Sequence, residues 1–207
     1  TYEGKASRDT DARSQAVTSP DFITAPVVVV GGGIAGLSAA LGLEGCTLVA
    51  NEPVGGGSSR LAQGGIAAAL GAGDSPALHA SDTLRVAAGI ADPAVASLVA
   101  ESAASRIAWL RELGVHFDAD VDGQVLLGRE AGHARNRIVH AGGDRTGAAV
   151  MQTMREAVLR RSDIRRLEGF ELVDIISCGK GAGGVLLEAA DGSRLAVLAP
   201  QVILATG

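Results

Sequence analysis

Residues 27–43 read VVVVGGGIAGLSAALGL, four valines followed by a glycine turn and a segment rich in alanine and leucine. β-Branched residues favour a strand and the Ala/Leu run favours a helix. Gly31, Gly33 and Gly36 have the G-x-G-x-x-G spacing, in which the glycines make the turn, admit a pyrophosphate and pack helix on strand. The helix N-terminus then faces the phosphates. The stretch predicts a dinucleotide site and leaves flavin and nicotinamide both open.

The next strand is predicted over residues 46–50 (CTLVA), and Asn51 and Glu52 follow it. An acid at the end of the second strand of a βαβ unit often binds the ribose hydroxyls of the adenosine half. Glu52 stands close to the expected distance from the glycine turn. The alternative is a turn acid that faces solvent ahead of Pro53.

A second glycine-rich segment, GGGSSRLAQGGIAAAL, covers residues 55–70. Ordering glycine-rich backbone is costly, so we interpret it as a wall of the cofactor site. Ser58, Ser59 and Gln63 are its candidate polar contacts. A flexible surface loop is the alternative.

The middle of the chain is predicted to hold two helices, over residues 76–89 and from Pro93 to about Leu113. Asp92 is the expected N-cap of the second helix and Gly114 its end. We interpret His79 as structural, and we expect short strands over residues 115–127 around the Asp122-Gly123 turn. The side chains expected in the core from the second helix are Val95, Val99, Ile107, Trp109 and Leu110.

Residues 128–147, GREAGHARNRIVHAGGDRTG, combine charge and glycine without any helix or strand period. This composition favours a loop that covers a ligand over a solvated helix face. Glu130, His133 and His140 do not have the spacing of a common zinc site, so no metal is predicted.

The C-terminal part is expected to contain a helix over residues 145–161 and then several strands. A short strand is predicted over residues 164–168. Antiparallel strands are predicted over residues 170–177, 185–190 and 194–198. A final buried strand, residues 201–205, leads into Thr206 and Gly207, which we expect at a cofactor.

Bulk properties exclude several functions. A net charge of −5 in a chain of 207 residues, with no basic patch interleaved with aromatics, does not favour nucleic-acid binding. Residues 22–43 lack charge, yet the glycines and valines favour a nucleotide-binding unit over a membrane span. Cys46 and Cys178 are expected to be buried thiols in a reducing, cytoplasmic compartment. Residues 1–24 are expected to form a disordered tail.

Five segments in this order resemble the succinate dehydrogenase and fumarate reductase flavoprotein superfamily, over roughly residues 26–207. They are VVVVGGGIAGLSAALGL, SSRLAQGGIAAAL, DTLRVAAGIAD, REAGHARNRIVHAGGDRTG and VILATG. The resemblance implies an α/β, Rossmann-like FAD-binding domain over residues 25–207, with a central parallel sheet and a three-stranded antiparallel meander. The cofactor contacts it implies are Gly31, Gly33, Ile34, Ala35, Gly36, Asn51, Glu52, Ser58, Ser59, Gln63, Gly64, Gly65, Asp144, Thr206 and Gly207.

Within the superfamily, the similarity is to the branch that oxidises L-aspartate to iminoaspartate, the first step of NAD biosynthesis by the quinolinate route. Ser58 stands where the membrane-bound members carry the histidine that tethers flavin, so the resemblance implies non-covalent FAD. Glu130 of REAGH matches a family glutamate that faces the substrate amino group. Oxygen or fumarate is the implied acceptor, the substrate is an amino acid or dicarboxylate, and quinolinate synthase is a candidate partner.

The chain departs from the family pattern at Leu61, Ala131 and Ala134, which bears on fine substrate contacts. The family's capping domain and its arginines and histidines for substrate are expected beyond Gly207, so we expect an incomplete, inactive fragment. A soluble fumarate reductase or succinate dehydrogenase type of flavoprotein is the enzymatic alternative. A non-catalytic nucleotide-binding module is the alternative of another class.

Overall fold

The computed structural model describes residues 21–207. In chain order the strands are β1 Asp21–Thr24, β2 Val28–Val30, β3 Cys46–Ala50, β4 Ile66–Ala67, β5 Leu127–Gly128, β6 Ile138–Val139, β7 Ile164–Glu168, β8 Phe170–Cys178, β9 Gly181–Ala189, β10 Arg194–Leu198 and β11 Val202–Leu204. The helices are α1 Ile34–Leu41, α2 Pro76–Ala87, α3 Pro93–Leu113 and α4 Thr146–Arg160.

A parallel sheet with the order β11-β2-β3-β7 is the centre of the fold. β2 is fully buried because its valines face apolar groups on both sides. Val29 packs against the layer formed by α1, α3 and α4, whereas Val28 and Val30 pack against β9 and β10 on the opposite face. Continuous valine is typical of such a doubly covered parallel strand.

The second sheet has the order β1-β10-β9-β8 and covers the other face of the parallel sheet. β8, β9 and β10 form the expected antiparallel meander. The α/β class, the parallel sheet and the meander predicted from the sequence are therefore confirmed. A third, small sheet with the order β4-β6-β5 joins the second glycine-rich segment to residues 127–139.

Three expectations need correction. Residues 21–24 were expected in a disordered tail, but they form β1 and pair in parallel with β10; residues 1–20 of that tail lie outside the described part. Cys178 is exposed because it ends β8 beside a hairpin turn, whereas Cys46 is buried in the parallel sheet. β11 is only half-buried because it is the edge strand.

The expected face of α3 is also partly wrong. Val95 and Val99 are 55% and 59% exposed, while Ile107 and Leu110 are buried as predicted and Trp109 packs at the core margin. The helix instead buries an alanine stripe, because small side chains let neighbouring helices approach closely. That stripe is Ala96, Ala100 and Ala103.

Helix ends follow the sequence signals closely. α3 begins after Asp92, whose carboxylate accepts from the N–H groups of Ala94 and Val95 at 2.7 and 3.3 Å. It ends at Gly114, which has a left-handed conformation with φ of 112°. Around the Asp122-Gly123 turn there is a single bridge, Ala119 to Val125, where short strands were expected.

Candidate active site

A first cleft of about 830 Å³ opens at the carboxyl edge of the parallel sheet. It lies where β2 connects through α1 to β3 on one side and pairs with β11 on the other. Such a reversal of strand order is where open α/β sheets bind ligands. The volume is in the range of small-molecule sites.

Gly31 and Gly36 shape the floor of the first cleft. Gly31 has φ of 131°, and a Cβ there would overlap the carbonyl oxygen of Ala205, the residue that follows β11. A Cβ on Gly36 would overlap the carbonyl oxygen of Gly31. Both positions therefore require glycine, one for the turn and one for the approach of α1 to β2, as the spacing predicts.

The N-terminus of α1 points its backbone at this cleft. Gly33 is the N-cap and has no side chain to cap the first turn. The N–H of Ile34 donates to the Ser59 hydroxyl at 3.3 Å. No residue lining the cleft within the described part of the chain is basic, so an anionic ligand is met by backbone N–H groups and the helix dipole.

Most of the predicted cofactor residues line the first cleft. Glu52 is exposed at its rim, one residue past Asn51 at the end of β3. Gly36 lies behind the floor, and Gly65 lines neither cleft because it packs on Ile138 and Val139. The predicted residues that line the cleft are Gly31, Gly33, Ile34, Ala35, Asn51, Glu52, Ser58, Ser59, Thr206 and Gly207.

The remaining predicted residues line a second cleft of about 660 Å³. Gln63, Gly64, Asp144 and Glu130 contribute to its wall. The glycine-rich segment 55–70 therefore borders both clefts, first through its serines and then through Gln63. Its interpretation as a wall of the cofactor site stays a prediction.

Glu130 and His140 face one another in the second cleft. Glu130 Oε1 lies 3.8 Å from His140 Nε2, and the Glu130 side chain is 56% exposed. The pair is ionic only when the imidazole is protonated. An exposed carboxylate in a concave site can attract the ammonium group of a small ligand.

Asp118 shapes the same cleft and was not predicted. Its two carboxylate oxygens accept from the N–H groups of Gly142 and Gly143 at 2.8 and 3.0 Å. At the other end of the GGDRTG segment, the N–H of Gly147 donates to the carbonyl oxygen of Ala62 at 2.9 Å. The GGDRTG segment is therefore held at one end by Asp118 and at the other by the second glycine-rich segment.

Phe170, Glu171 and Leu172 line the first cleft and were also missed. They follow β7, which pairs in parallel with β3. The available signal was the predicted strand at residues 164–168, because a parallel neighbour brings its carboxyl end to the same edge.

Between residues 21 and 207, no group of three His, Cys, Asp or Glu side chains is placed to hold a metal ion. None of the helices in this range combines the length and apolarity needed to cross a membrane.

Comparison with known proteins adds to this geometry. A family profile described as an FAD binding domain matches residues 26–207. The L-aspartate oxidase of Streptomyces coelicolor is 42% identical over 194 residues, covering 89% of this chain and 33% of that protein. The L-aspartate oxidase of Agrobacterium fabrum is 43% identical over 183 residues, covering 87% and 35%. The chain thus spans about a third of the length of these curated relatives.

Solved structures agree with the fold. Mycobacterium smegmatis Sdh1 in complex with UQ1 matches with a TM-score of 0.83 and 28% identity, covering 90% of this chain and 34% of that chain. A variant of E. coli quinol fumarate reductase FrdA matches with a TM-score of 0.84 and 24% identity, covering 90% and 33%. The second match bears on the fold alone.

Proposed function

The chain belongs to the family of FAD-binding domains that matches its residues 26–207, and from this premise we propose that it serves the oxidation of L-aspartate to iminoaspartate. The cofactor is FAD, as the family match and the flavoprotein relatives indicate. Identity of about 40% to L-aspartate oxidases supports the choice of substrate. The observation that carries the proposal is the exposed Glu130 carboxylate in the second cleft.

The first cleft fits the adenosine and pyrophosphate end of FAD. Glycine at Gly31 and Gly36 lets the turn and α1 pack closely on β2 and on the end of β11, so that residues 33–35 at the start of α1 line the cleft. The N-terminus of α1 would hold the pyrophosphate, and Glu52 would accept hydrogen bonds from the ribose hydroxyls. Ser58 cannot form the histidine tether, so the flavin would be held without a covalent bond.

The second cleft would then bind the substrate. Bound FAD would supply the two-electron acceptor for oxidation at the aspartate α-carbon. Glu130 would bind the substrate ammonium group and so orient the α-carbon. Succinate and fumarate have no ammonium group, so Glu130 would favour aspartate over a plain dicarboxylate.

An anaerobic titration tests the proposal against its alternatives. The FAD-loaded protein at the length of its curated relatives would be mixed with L-aspartate, succinate or NADH, and flavin absorbance followed. The proposal predicts that aspartate bleaches the flavin faster than succinate does. Faster bleaching by succinate would support a fumarate reductase type instead, and no bleaching by any reductant would support a binding module. Acid precipitation should release all the flavin into the supernatant.

We further propose a cytoplasmic location and quinolinate synthase as a partner. Both cysteines among the described residues are free thiols, which fits a reducing compartment. An imine hydrolyses in water, so a consumer of the product gains from proximity. Addition of quinolinate synthase should therefore raise the yield of condensed product above that expected from free diffusion; an unchanged yield would contradict the partnership.

A further inference from the structure

A buried cluster of charges lies between α2 and the loop of residues 129–137, here named the Glu130 loop. Arg137 is fully buried. Its guanidinium donates from Nε and Nη2 to the two carboxylate oxygens of Asp74 at 2.9 and 2.7 Å. Its Nη1 donates to Asp82 Oδ2 at 2.8 Å. The side chains of Asp74 and Asp82 are 1% and 9% exposed.

Asp82 also binds the backbone of the Glu130 loop. Its Oδ2 accepts from the N–H of Ala134 at 2.7 Å, and its Oδ1 accepts from Arg85 at 2.7 Å. Arg85 in turn donates to the carbonyl oxygen of Gly132 at 2.7 Å. The pKa of Asp82 lies well below its usual range. The main cause is the hydrogen bond from the Ala134 N–H, and the second is the hydrogen bond from Arg85. The carboxylate is therefore charged across the physiological range.

The base of the loop is fixed separately. Gly128 on β5 pairs with Ile138 on β6, and the N–H of Arg137 donates to the Gly128 carbonyl at 2.9 Å. Glu130 thus lies between a strand pair at the base and the α2 attachment at Gly132 and Ala134. Its backbone has little freedom while both hold.

A buried ion pair is weak evidence for stability, because desolvation offsets the Coulomb attraction. The location of these bonds says more about their role than their strength does. They join α2 to the loop that carries Glu130, the proposed substrate contact. We propose that Asp82 and Arg137 are positioning residues, which hold Glu130 in the second cleft for recognition of the substrate ammonium group. This inference rests on the proposed function.

Asp82→Asn is the informative substitution. The groups around the Asp82 carboxylate are all donors: the Ala134 N–H, Arg85 and Arg137. An amide would direct its own N–H₂ group at one of these donors, which removes at least one of the three hydrogen bonds and the negative charge that compensates the two arginines. The size of the side chain hardly changes.

Asp92→Asn is the matched control. It is the same chemical change at another carboxylate that caps backbone N–H groups, but at the start of α3. Asparagine is as good an N-cap as aspartate. Arg85→Gln is a second test variant, since Arg85 is 61% exposed. Its substitution removes the bonds to Gly132 and to Asp82, while Asp82 keeps Arg137 as its counter-ion.

Hydrogen exchange of the 207-residue chain measures the positioning directly. Asp82→Asn should raise exchange in residues 129–137 about tenfold or more, a loss of about 1.4 kcal/mol of local protection. Arg85→Gln should raise it about threefold, and Asp92→Asn should leave it unchanged. Residues 146–160 on α4 serve as the internal reference. Equal exchange in the variants, or acceleration spread evenly over α4 as well, would overturn the proposal.

Kinetics of the FAD-loaded protein at the length of its relatives give the second readout. Asp82→Asn should raise KM for aspartate about tenfold, with kcat changed less than KM and the dissociation constant of FAD unchanged. Parallel loss of FAD binding would indicate a merely structural role. If the unsubstituted protein fails to oxidise aspartate, the proposed function fails, and the exchange experiment still decides whether Asp82 holds the loop.

Discussion

The two clefts are built in different ways. The first is built mainly from backbone, with Gly31 at its floor and Gly36 behind the floor. The second is built from charged side chains, Glu130 and Asp144 among them, on segments that meet only in the folded chain. Backbone recognition is encoded locally and tolerates little substitution. Side-chain recognition depends on residues that are distant in sequence. In the proposed assignment, a substitution in the second cleft would change substrate specificity while the cofactor stays bound.

The largest expected effect is a loss of FAD affinity through a substitution at the first cleft. Gly36→Val would drive its side chain into the Gly31 carbonyl, so α1 must move away from β2. We expect the dissociation constant of FAD to rise about a hundredfold or more and unfolding free energy to fall by roughly 2 to 3 kcal/mol. Fluorescence titration with FAD and urea unfolding measure the two effects.

Gly181→Ala is the control for that substitution. Gly181 is the first residue of β9, immediately after the hairpin turn, and a Cβ there would meet no atom within 4 Å. FAD affinity should stay within about twofold of the unsubstituted chain. Similar losses in both variants would mean that glycine content in general, and not the fit at Gly36, limits binding.

A smaller effect is expected at the rim of the first cleft. Glu52→Ala removes one proposed hydrogen-bond acceptor for the ribose hydroxyls and leaves the glycine floor intact. The dissociation constant of FAD should rise about tenfold, as for loss of a hydrogen bond to a charged group. Riboflavin has no adenosine ribose, so its weaker binding should not change. An equal effect on both ligands would place Glu52 elsewhere in the site.

The smallest expected effect concerns pH and the support of the second cleft. His79 is 6% exposed, and its Nδ1 has no hydrogen-bond partner within residues 21–207. Its ring lies 5.7 Å from the ring of His133. The pKa of His79 is lowered mainly by burial and, to a smaller extent, by the positive charge of Arg137. The folded state therefore resists protonation, and its stability is fully present above the unfolded pKa of about 6.5 and falls as pH decreases.

His79→Leu should flatten this dependence. Urea unfolding at pH 7.5 and pH 5.5 would show a smaller loss of stability in the variant than in the unsubstituted chain. His116→Leu, at an exposed histidine, should leave the loss unchanged. An equal pH dependence in the His79 variant would contradict the assignment of this proton to His79.

The sequence predicts the first cleft better than the second for a physical reason. The glycine turn, β3 and Glu52 lie within about thirty residues, and hydrophobic period and turn chemistry describe such short separations. The bonds of Arg137 to Asp82 and Asp74 join residues 55 and 63 positions apart. No local pattern indicates which carboxylate a distant arginine will meet.

The same reasoning explains the errors in the fold. β1 has no period of its own, and its partner β10 lies far along the chain. α3 has apolar residues on two faces, so the sequence alone does not decide between the stripe of Val95 and Val99 and the stripe of Ala96 and Ala100. In the folded chain the alanine stripe is buried, because small side chains allow neighbouring helices to pack closely.

The division between the clefts is tested most directly by Glu130→Gln in the FAD-loaded protein at the length of its relatives, with three measurements on one preparation. We predict that kcat/KM for aspartate falls ten- to a hundredfold, about 1.5 to 3 kcal/mol for a lost charged hydrogen bond. Fumarate reduction and FAD affinity should stay within about twofold. Equal losses with aspartate and fumarate, or a loss of FAD, would contradict the account.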